Sequence, residues 1–208
     1  MRTKERSTKV YFIRHGQTDF PNDRIYCDDQ EDPALNRSGL IQAKSAALYF
    51  QDIAIDALYC SPALRTRMTA AEIAQVTGVQ PEFDERLRER RFGIWEGLYF
   101  HEIEQRHPDE YGAWKADPVN FTPEGGETVP DVTVRLQACL GDLLARYQGQ
   151  TLVVVCHVGP IRMAVTQAFD IPDNQYRQIR VDYASITRID YGDTRNNLIF
   201  LNSVRYKG

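Results

Sequence analysis

Apolar and polar positions fall into blocks of two periodicities along the chain. Val10–Ile13 is a β-branched and aromatic run that stops at Arg14-His15-Gly16, the pattern of a short buried strand ending in a polar loop. After Asn36, the residues Leu40, Ala43, Ala47 and Phe50 recur at helical spacing and predict a helix with Ser38 as its cap. Ile55–Cys60 predicts a second strand. Ser61-Pro62 then opens a helix to about Val76, with Ser61 at the N-cap, Pro62 at the first helical position and Gly78 closing it. Val132, Leu136, Leu140 and the Leu143/Leu144 pair form one apolar stripe, so a helix is expected from about Val132 to Tyr147, before Gly149. Leu152–Cys156 is continuously apolar, as a strand covered on both faces is. It ends at His157-Val158-Gly159-Pro160, ahead of a helix from about Ile161 to Phe169, and Ser185–Ile189 and Leu198–Leu201 are two further strand-like runs.

Strands alternating with helices at this pitch predict an α/β fold, a three-layer α/β/α sandwich on a largely parallel sheet. In such sheets ligands bind at the carboxyl ends of strands. Both short polar clusters, Arg14-His15-Gly16 and His157-Val158-Gly159, belong to that edge. A chain of 208 residues with no internal repeat or linker reads as one domain over 1–208, with residues 1–9 as a charged tail.

Composition narrows the classes of function. A formal net charge of −4 argues against coating of nucleic acid, which needs a basic excess. No apolar run approaches the roughly 20 residues of a membrane span, and the first nine residues lack the apolar region of a secretory signal. Cys27, Cys60, Cys139 and Cys156 show no CxxC spacing, so unpaired thiols in a cytoplasmic protein are expected.

Phosphate chemistry is what the strand-end residues permit. There is no GxxxxGK[ST] loop, and His15, His101, His107 and His157 lack HExxH spacing, so no metal site is indicated. What remains is a histidine flanked by arginine and glycine just past a strand. A neutral imidazole can attack phosphorus, and cationic neighbours both lower its pKa and hold the phosphoryl group in line. Arginine suits that duty because its planar fork binds phosphate oxygens in pairs without losing charge. Arg14 is one such fork and Arg65 a candidate second.

These residues resemble those of the histidine phosphatase superfamily, also called phosphoglycerate-mutase-like. Its RHG motif stands here as Arg14-His15-Gly16, and its SPxxRxxxTA segment as Ser61-Pro62-Ala63-Leu64-Arg65-Thr66-Arg67-Met68-Thr69-Ala70. The glutamate that precedes its FGxWEG run is matched by Glu89, ahead of Phe92-Gly93-Ile94-Trp95-Glu96-Gly97. A Gly-Gly-Glu-[Ser/Thr] box appears as Gly125-Gly126-Glu127-Thr128, and the second histidine motif as Val155-Cys156-His157-Val158-Gly159-Pro160-Ile161-Arg162. The five motifs follow the family's order from Val10 to Leu201. Two departures stand out. Pro21 occupies the usual asparagine position, with Asn22 one step late, and Val158 replaces a frequent glycine.

The resemblance implies a phosphoglycerate-mutase-like fold and a phosphomonoesterase with His15 as nucleophile and Glu89 as general acid and base. Arg14, Arg65 and His157 would hold the phosphoryl group, with Asn22 and Val158 as further substrate contacts. No metal or cofactor is implied. The partner is a small-molecule phosphate ester: an amino-acid phosphate such as phosphoserine, α-ribazole phosphate, or a broad range of esters; no nucleic-acid or membrane partner is expected, and the reading allows a homodimer. Two other functions fit the same motifs, a cofactor-dependent phosphoglycerate mutase and a non-catalytic phosphate-ester binding module. The resemblance favours hydrolysis, because mutases of the family carry a much longer insertion where this chain has only Leu98–Glu124, broken by Pro108, Pro118 and Pro123. The acidic run Asp28-Asp29-Gln30-Glu31-Asp32 lies near the expected pocket mouth, where carboxylates would favour an ammonium-bearing substrate. Trp95, Trp114 and Tyr111 are expected to be packing aromatics, with Trp114 or Tyr111 as candidates to face substrate. His101 and His107 are expected at the surface.

Overall fold

In a computed structural model of the chain, which describes residues 7–26 and 31–204, β1 (Thr8–Arg14), β2 (Ala57–Cys60), β3 (Pro81–Phe83), β4 (Thr151–Cys156), β5 (Ile186–Tyr191) and β6 (Asn196–Ser203) form one sheet in the order β3-β2-β4-β1-β5-β6. β1, β2, β3 and β4 run parallel, whereas β5 pairs antiparallel with β1 and β6 with β5, so the sheet is largely parallel with an antiparallel flank.

The period-2 geometry of strands explains why β1 and β4 are apolar throughout. Val10, Phe12, Leu152 and Val154 point to one face, where they pack against α5 (Val129–Arg146) and α6 (Val158–Ala168). Tyr11, Ile13, Val153 and Val155 point to the other, against α1 (Arg37–Ala47) and α2 (Leu64–Thr77). The result is the expected three layers. A smaller cluster around Trp95, Ile25 and Ile103 gathers the aromatic residues of α3 (Phe100–Arg106), α4 (Pro108–Ala116) and the preceding loop beside the carboxyl edge of the sheet. Among the described residues no helix is long and apolar enough to cross a membrane.

Several boundaries differ from the sequence reading, each for a local reason. Thr8 and Lys9 are not tail but the start of β1, and the Lys9 amide donates to the Gln150 carbonyl at 2.9 Å. α1 is capped by Asn36, whose Oδ1 accepts from the Gly39 amide at 2.8 Å, and not by Ser38. α2 starts at Leu64 because the Asp32 carboxylate caps the Leu64 amide from outside the helix, so Ser61 is free for another duty. α5 gains a turn from a Thr128/Asp131 capping box. The three-residue edge strand β3 carries too short a pattern to be read from the sequence.

Candidate active site

The sheet order puts β4 beside β1, and Arg14 is in register with Cys156, so the residues that follow each strand meet. The His15 amide donates to the Cys156 carbonyl at 3.1 Å, and the His15 and His157 rings stand 5.3 Å apart. Gly16 lets this loop approach α1: a Cβ on it would lie 2.4 Å from the Gly39 carbonyl oxygen, which no side chain tolerates. The Gly16 amide donates to Thr69 Oγ1 of α2 at 3.1 Å, tying the loop to both helices of that layer.

His15 is buried, and its Nδ1 lies 2.8 Å from the Gly16 carbonyl. A carbonyl only accepts, so Nδ1 carries the proton and Nε2 keeps its lone pair. Burial pushes the His15 pKa well below the usual histidine value, and the Arg65 and Arg14 guanidiniums push it further the same way. The ring is therefore neutral at pH 7. Tyr26 and Tyr183 flank it, with ring centroids 6.3 Å and 5.8 Å away.

Two guanidiniums converge on the histidine pair. Arg65, on the first turn of α2, is fully buried; its Nη2 donates to His157 Nδ1 at 3.2 Å and its guanidinium carbon lies 4.3 Å from the Tyr26 ring centroid. Since Arg65 can only donate, His157 Nδ1 is the acceptor, and Nε2 carries the proton that it donates to Ser61 Oγ at 2.8 Å. His157 is held neutral as well, by burial first and then by Arg65 and His15. Arg14 donates to the Val181 carbonyl at 2.8 Å and lies 3.8 Å over the Tyr183 ring, while its Nε is buried with no hydrogen-bond partner. A buried donor without an acceptor costs free energy unless a ligand supplies one. Two cations beside two neutral imidazoles make a site for a dianion such as a phosphoryl group.

Glu89 reaches the same edge from the loop after β3. Both of its carboxylate oxygens accept from the Gly159 amide in the first turn of α6, at 3.2 Å each, and Oε1 also accepts from the Arg90 amide at 2.9 Å. Glycine leaves the room this contact needs: a Cβ at position 159 would come within 2.2 Å of Glu89 Oε1, so the carboxylate keeps this position only opposite a glycine.

The loop that carries Glu89 is braced from behind by Arg135 of α5. Arg135 donates to the carbonyls of Arg86, Arg88 and Glu89 at 2.7, 2.8 and 3.0 Å, and to both oxygens of Glu127 at 2.8 and 3.0 Å. Burial alone would push the Glu127 carboxyl up, but the Arg135 bonds and the Arg91 amide outweigh it and hold it below the ordinary carboxylate range.

A cavity of about 410 Å³ is lined by Tyr26, which flanks His15, by Val158, which follows His157, and by Glu89; neither histidine lines it. Val158, the residue after His157, forms part of its wall, as the sequence suggested. Asn22 is exposed and accepts a hydrogen bond from the Tyr183 hydroxyl at 3.1 Å, which places it one residue removed from His15. Trp114 lines the cavity, whereas Trp95 is fully buried beneath it and Tyr111 packs on both tryptophans. His101 is exposed, and His107 is half-buried beside Glu110. Of the acidic run, Asp28 and Asp29 lie outside the described residues. Glu31 is paired with Arg24 at 2.7 Å, and Asp32 is spent on the α2 amide and lies 3.7 Å from Arg65, so these two carboxylates serve the protein itself.

Sequence reasoning missed Tyr26, Tyr183 and Ser61 as neighbours of the histidines. Ser61 carried a signal, its place in the SPxxR segment, and Tyr26 a weaker one, since Tyr26-Cys27 stands where a Gln-Gly pair is common in the family; Tyr183 carried none, because only the fold brings it to His15. The Cys-x5-Arg spacing that a thiol nucleophile needs does occur once, at Cys156 and Arg162. The structure disposes of it: Cys156 lies in the core with its thiol pushed well above the usual range by burial, and Arg162 Nε donates to the Ile179 carbonyl at 2.9 Å. Among the described residues no cluster of three or more His, Cys, Asp or Glu side chains is arranged to hold a metal ion.

Comparison with known proteins agrees with the geometry. The model of the histidine phosphatase superfamily (branch 1) matches residues 10–204. A bifunctional protein of Mycobacterium tuberculosis is 33% identical over 201 residues, 96% of this chain, which spans only 55% of that relative's length. Phosphoserine phosphatase 1 of Hydrogenobacter thermophilus is 28% identical over 200 residues, covering 96% of this chain and 94% of that protein. The solved structure of a mycobacterial glucosyl-3-phosphoglycerate phosphatase superposes with a TM-score of 0.84 at 26% identity, covering 95% of this chain and 100% of that one.

Proposed function

The chain belongs to the histidine phosphatase superfamily, and from that premise we propose that it is a metal-independent phosphomonoesterase that hydrolyses a small-molecule phosphate ester through a phosphohistidine on His15. One observation carries the reading. His15 is buried, neutral and tied by Nδ1 to the Gly16 carbonyl, so Nε2 offers its lone pair beside the Arg14 and Arg65 guanidiniums. Nε2 attacks phosphorus as the P–O bond to the alcohol breaks, and protonated Glu89 gives its proton to the departing oxygen. Water then attacks the phosphohistidine and loses a proton to the Glu89 carboxylate; the P–N bond breaks and inorganic phosphate leaves. Arg14 and Arg65 carry the charge of the transferring group throughout, with His157 positioned by Arg65 and Ser61.

Hydrolysis is favoured over mutase activity by the small cover. α3 and α4 are short, and a mutase must shield its phosphohistidine from water while the product turns. Which alcohol is released is a separate question, and the relatives named above act on different esters.

The test is a phosphate-release assay on a panel of monoesters in the presence of EDTA, run beside 3- to 2-phosphoglycerate interconversion with 2,3-bisphosphoglycerate as primer. Wild type should release phosphate faster than it interconverts phosphoglycerates, and rapid quenching should trap an acid-labile, base-stable phosphoryl adduct on His15. His15→Ala should lose essentially all turnover. Retained activity in that variant, strict dependence on added Mg²⁺, or faster interconversion than release would refute the reading.

A further inference from the structure

The cavity beside the histidines is rich in donors and poor in acceptors. Its wall is aromatic, formed by Tyr26, Phe92, Phe100, Trp114 and Tyr176, and its volume lies within the range of about 300–1,000 Å³ found for drug-sized ligands. Trp114 Nε1 is buried and has no hydrogen-bond partner. Arg177 stands 4.6 Å from the Trp114 ring and 5.6 Å from the Tyr176 ring; its Nε donates to the Tyr176 hydroxyl, and both terminal nitrogens remain available. Arg162, at the floor, spends Nε on the Ile179 carbonyl and Nη2 on the Arg177 carbonyl at 3.5 Å, which leaves Nη1. Arg90 is bonded to three backbone carbonyls, with the Glu89 carboxylate as a nearby counter-charge. Glu89 is the one carboxylate among the lining residues, and it is held by the Gly159 and Arg90 amides.

We propose that the alcohol half of the substrate is a planar, apolar body bearing an anionic group, such as an aryl carboxylate, and that amino alcohols are poor substrates. This rests on the phosphomonoesterase reading and deepens it. With phosphorus at His15, the ester oxygen leaves past Glu89 into the cavity. The planar body then lies along the aromatic wall, and its anion meets the Arg177 and Arg162 guanidiniums. An ammonium group would face guanidiniums at the same place, where the one lining carboxylate, Glu89, already accepts from the Gly159 and Arg90 amides.

Three esters decide the matter: naphthyl phosphate, naphthyl phosphate with a carboxylate on the ring remote from the ester, and phosphoethanolamine. The carboxylated ester should exceed naphthyl phosphate in kcat/KM by about tenfold or more, as one charge-assisted contact allows, and phosphoethanolamine should be the poorest. Arg177→Gln should narrow the ratio of the first two. Calorimetric binding of the corresponding non-hydrolysable phosphonates asks the same question without turnover, so failed hydrolysis with an intact binding preference would refute the phosphatase reading and leave this one standing. Equal affinity of the two aryl phosphonates, or preference for the ammonium ester, would overturn it.

Discussion

Replacing Gly159 by alanine puts a methyl carbon where Glu89 Oε1 now sits, 2.2 Å away, and the carboxylate is the part that moves, because it is the end of a flexible side chain. Stability should hardly change. Alanine gains up to about 0.5–1 kcal/mol over glycine within a helix, and the two 3.2 Å bonds from the Gly159 amide to Glu89, replaced by water, cost about 1 kcal/mol. The sum lies within about 1 kcal/mol of zero, a shift of roughly 2–4 °C or less in the melting midpoint for a chain of this size. Activity should separate by leaving group. A misplaced proton donor forfeits the roughly 10²–10⁴-fold that general acid catalysis supplies, so kcat/KM for an alkyl phosphate should fall at least 100-fold. p-Nitrophenyl phosphate, whose leaving group needs no proton, should fall less than about tenfold. The assay is phosphate release from both esters on one preparation, with thermal denaturation as control. Equal losses for the two esters in a folded variant, or an alkyl rate within threefold of wild type, would refute the assignment of Glu89 as proton donor.

Arg135→Ala removes the brace behind the Glu89 loop, and breaking its largely buried pair with Glu127 should cost about 3 kcal/mol; calorimetry should show Arg135→Lys recovering only part of this, because an ammonium cannot span three carbonyls and a carboxylate. The alkyl-to-aryl rate ratio should fall in both variants, and an unchanged ratio would make Arg135 a purely structural residue. Stability should also fall with acid. His15 and His157 are held neutral in the fold with pKa values well below the unfolded 6.5 or so, so the unfolded chain takes up protons first and stability declines as pH drops below about 6.5. Asp84, held low chiefly by its Arg86 hydrogen bonds, and Glu127 add a second decline as pH falls below their unfolded values near 4. A melting midpoint that rises between pH 7 and 5 would contradict the first decline, and one that stays level as pH falls further below about 4 would contradict the second.

The strands and the main helices were legible because each carries a clean period: the continuous apolar run of β4 and the Leu136–Leu140–Leu143 stripe of α5 leave little choice. Helix starts were less so. α1 and α2 are capped by Asn36 and Asp32, and the second of these reaches Leu64 from 32 positions away, which no local pattern reports. The histidines and arginines were readable from strand-end motifs, since a strand's carboxyl edge is fixed by topology. Tyr26 and Tyr183 were not, because a tyrosine beside a buried histidine looks in sequence like any packing aromatic. Glu31 and Asp32 misled for a related reason: a charge run says nothing of which charges are already partnered.

The placement of β4 between β2 and β1 has a consequence for the order in which the protein can be made. β1 pairs only with β4 and β5, and β2 only with β3 and β4, so until β4 is synthesised β1 and the β2–β3 pair are sheet fragments that cannot join. His15 and Arg65 are then on separate fragments, and no anion site exists until Thr151–Cys156 arrives to zip them together and bring His157 with it. Such long-range closure is slow compared with helix formation. If the chain acts as proposed, phosphate binding will report that the central strand has been inserted, and a phosphate analogue in the refolding buffer will stabilise only chains that have passed that step.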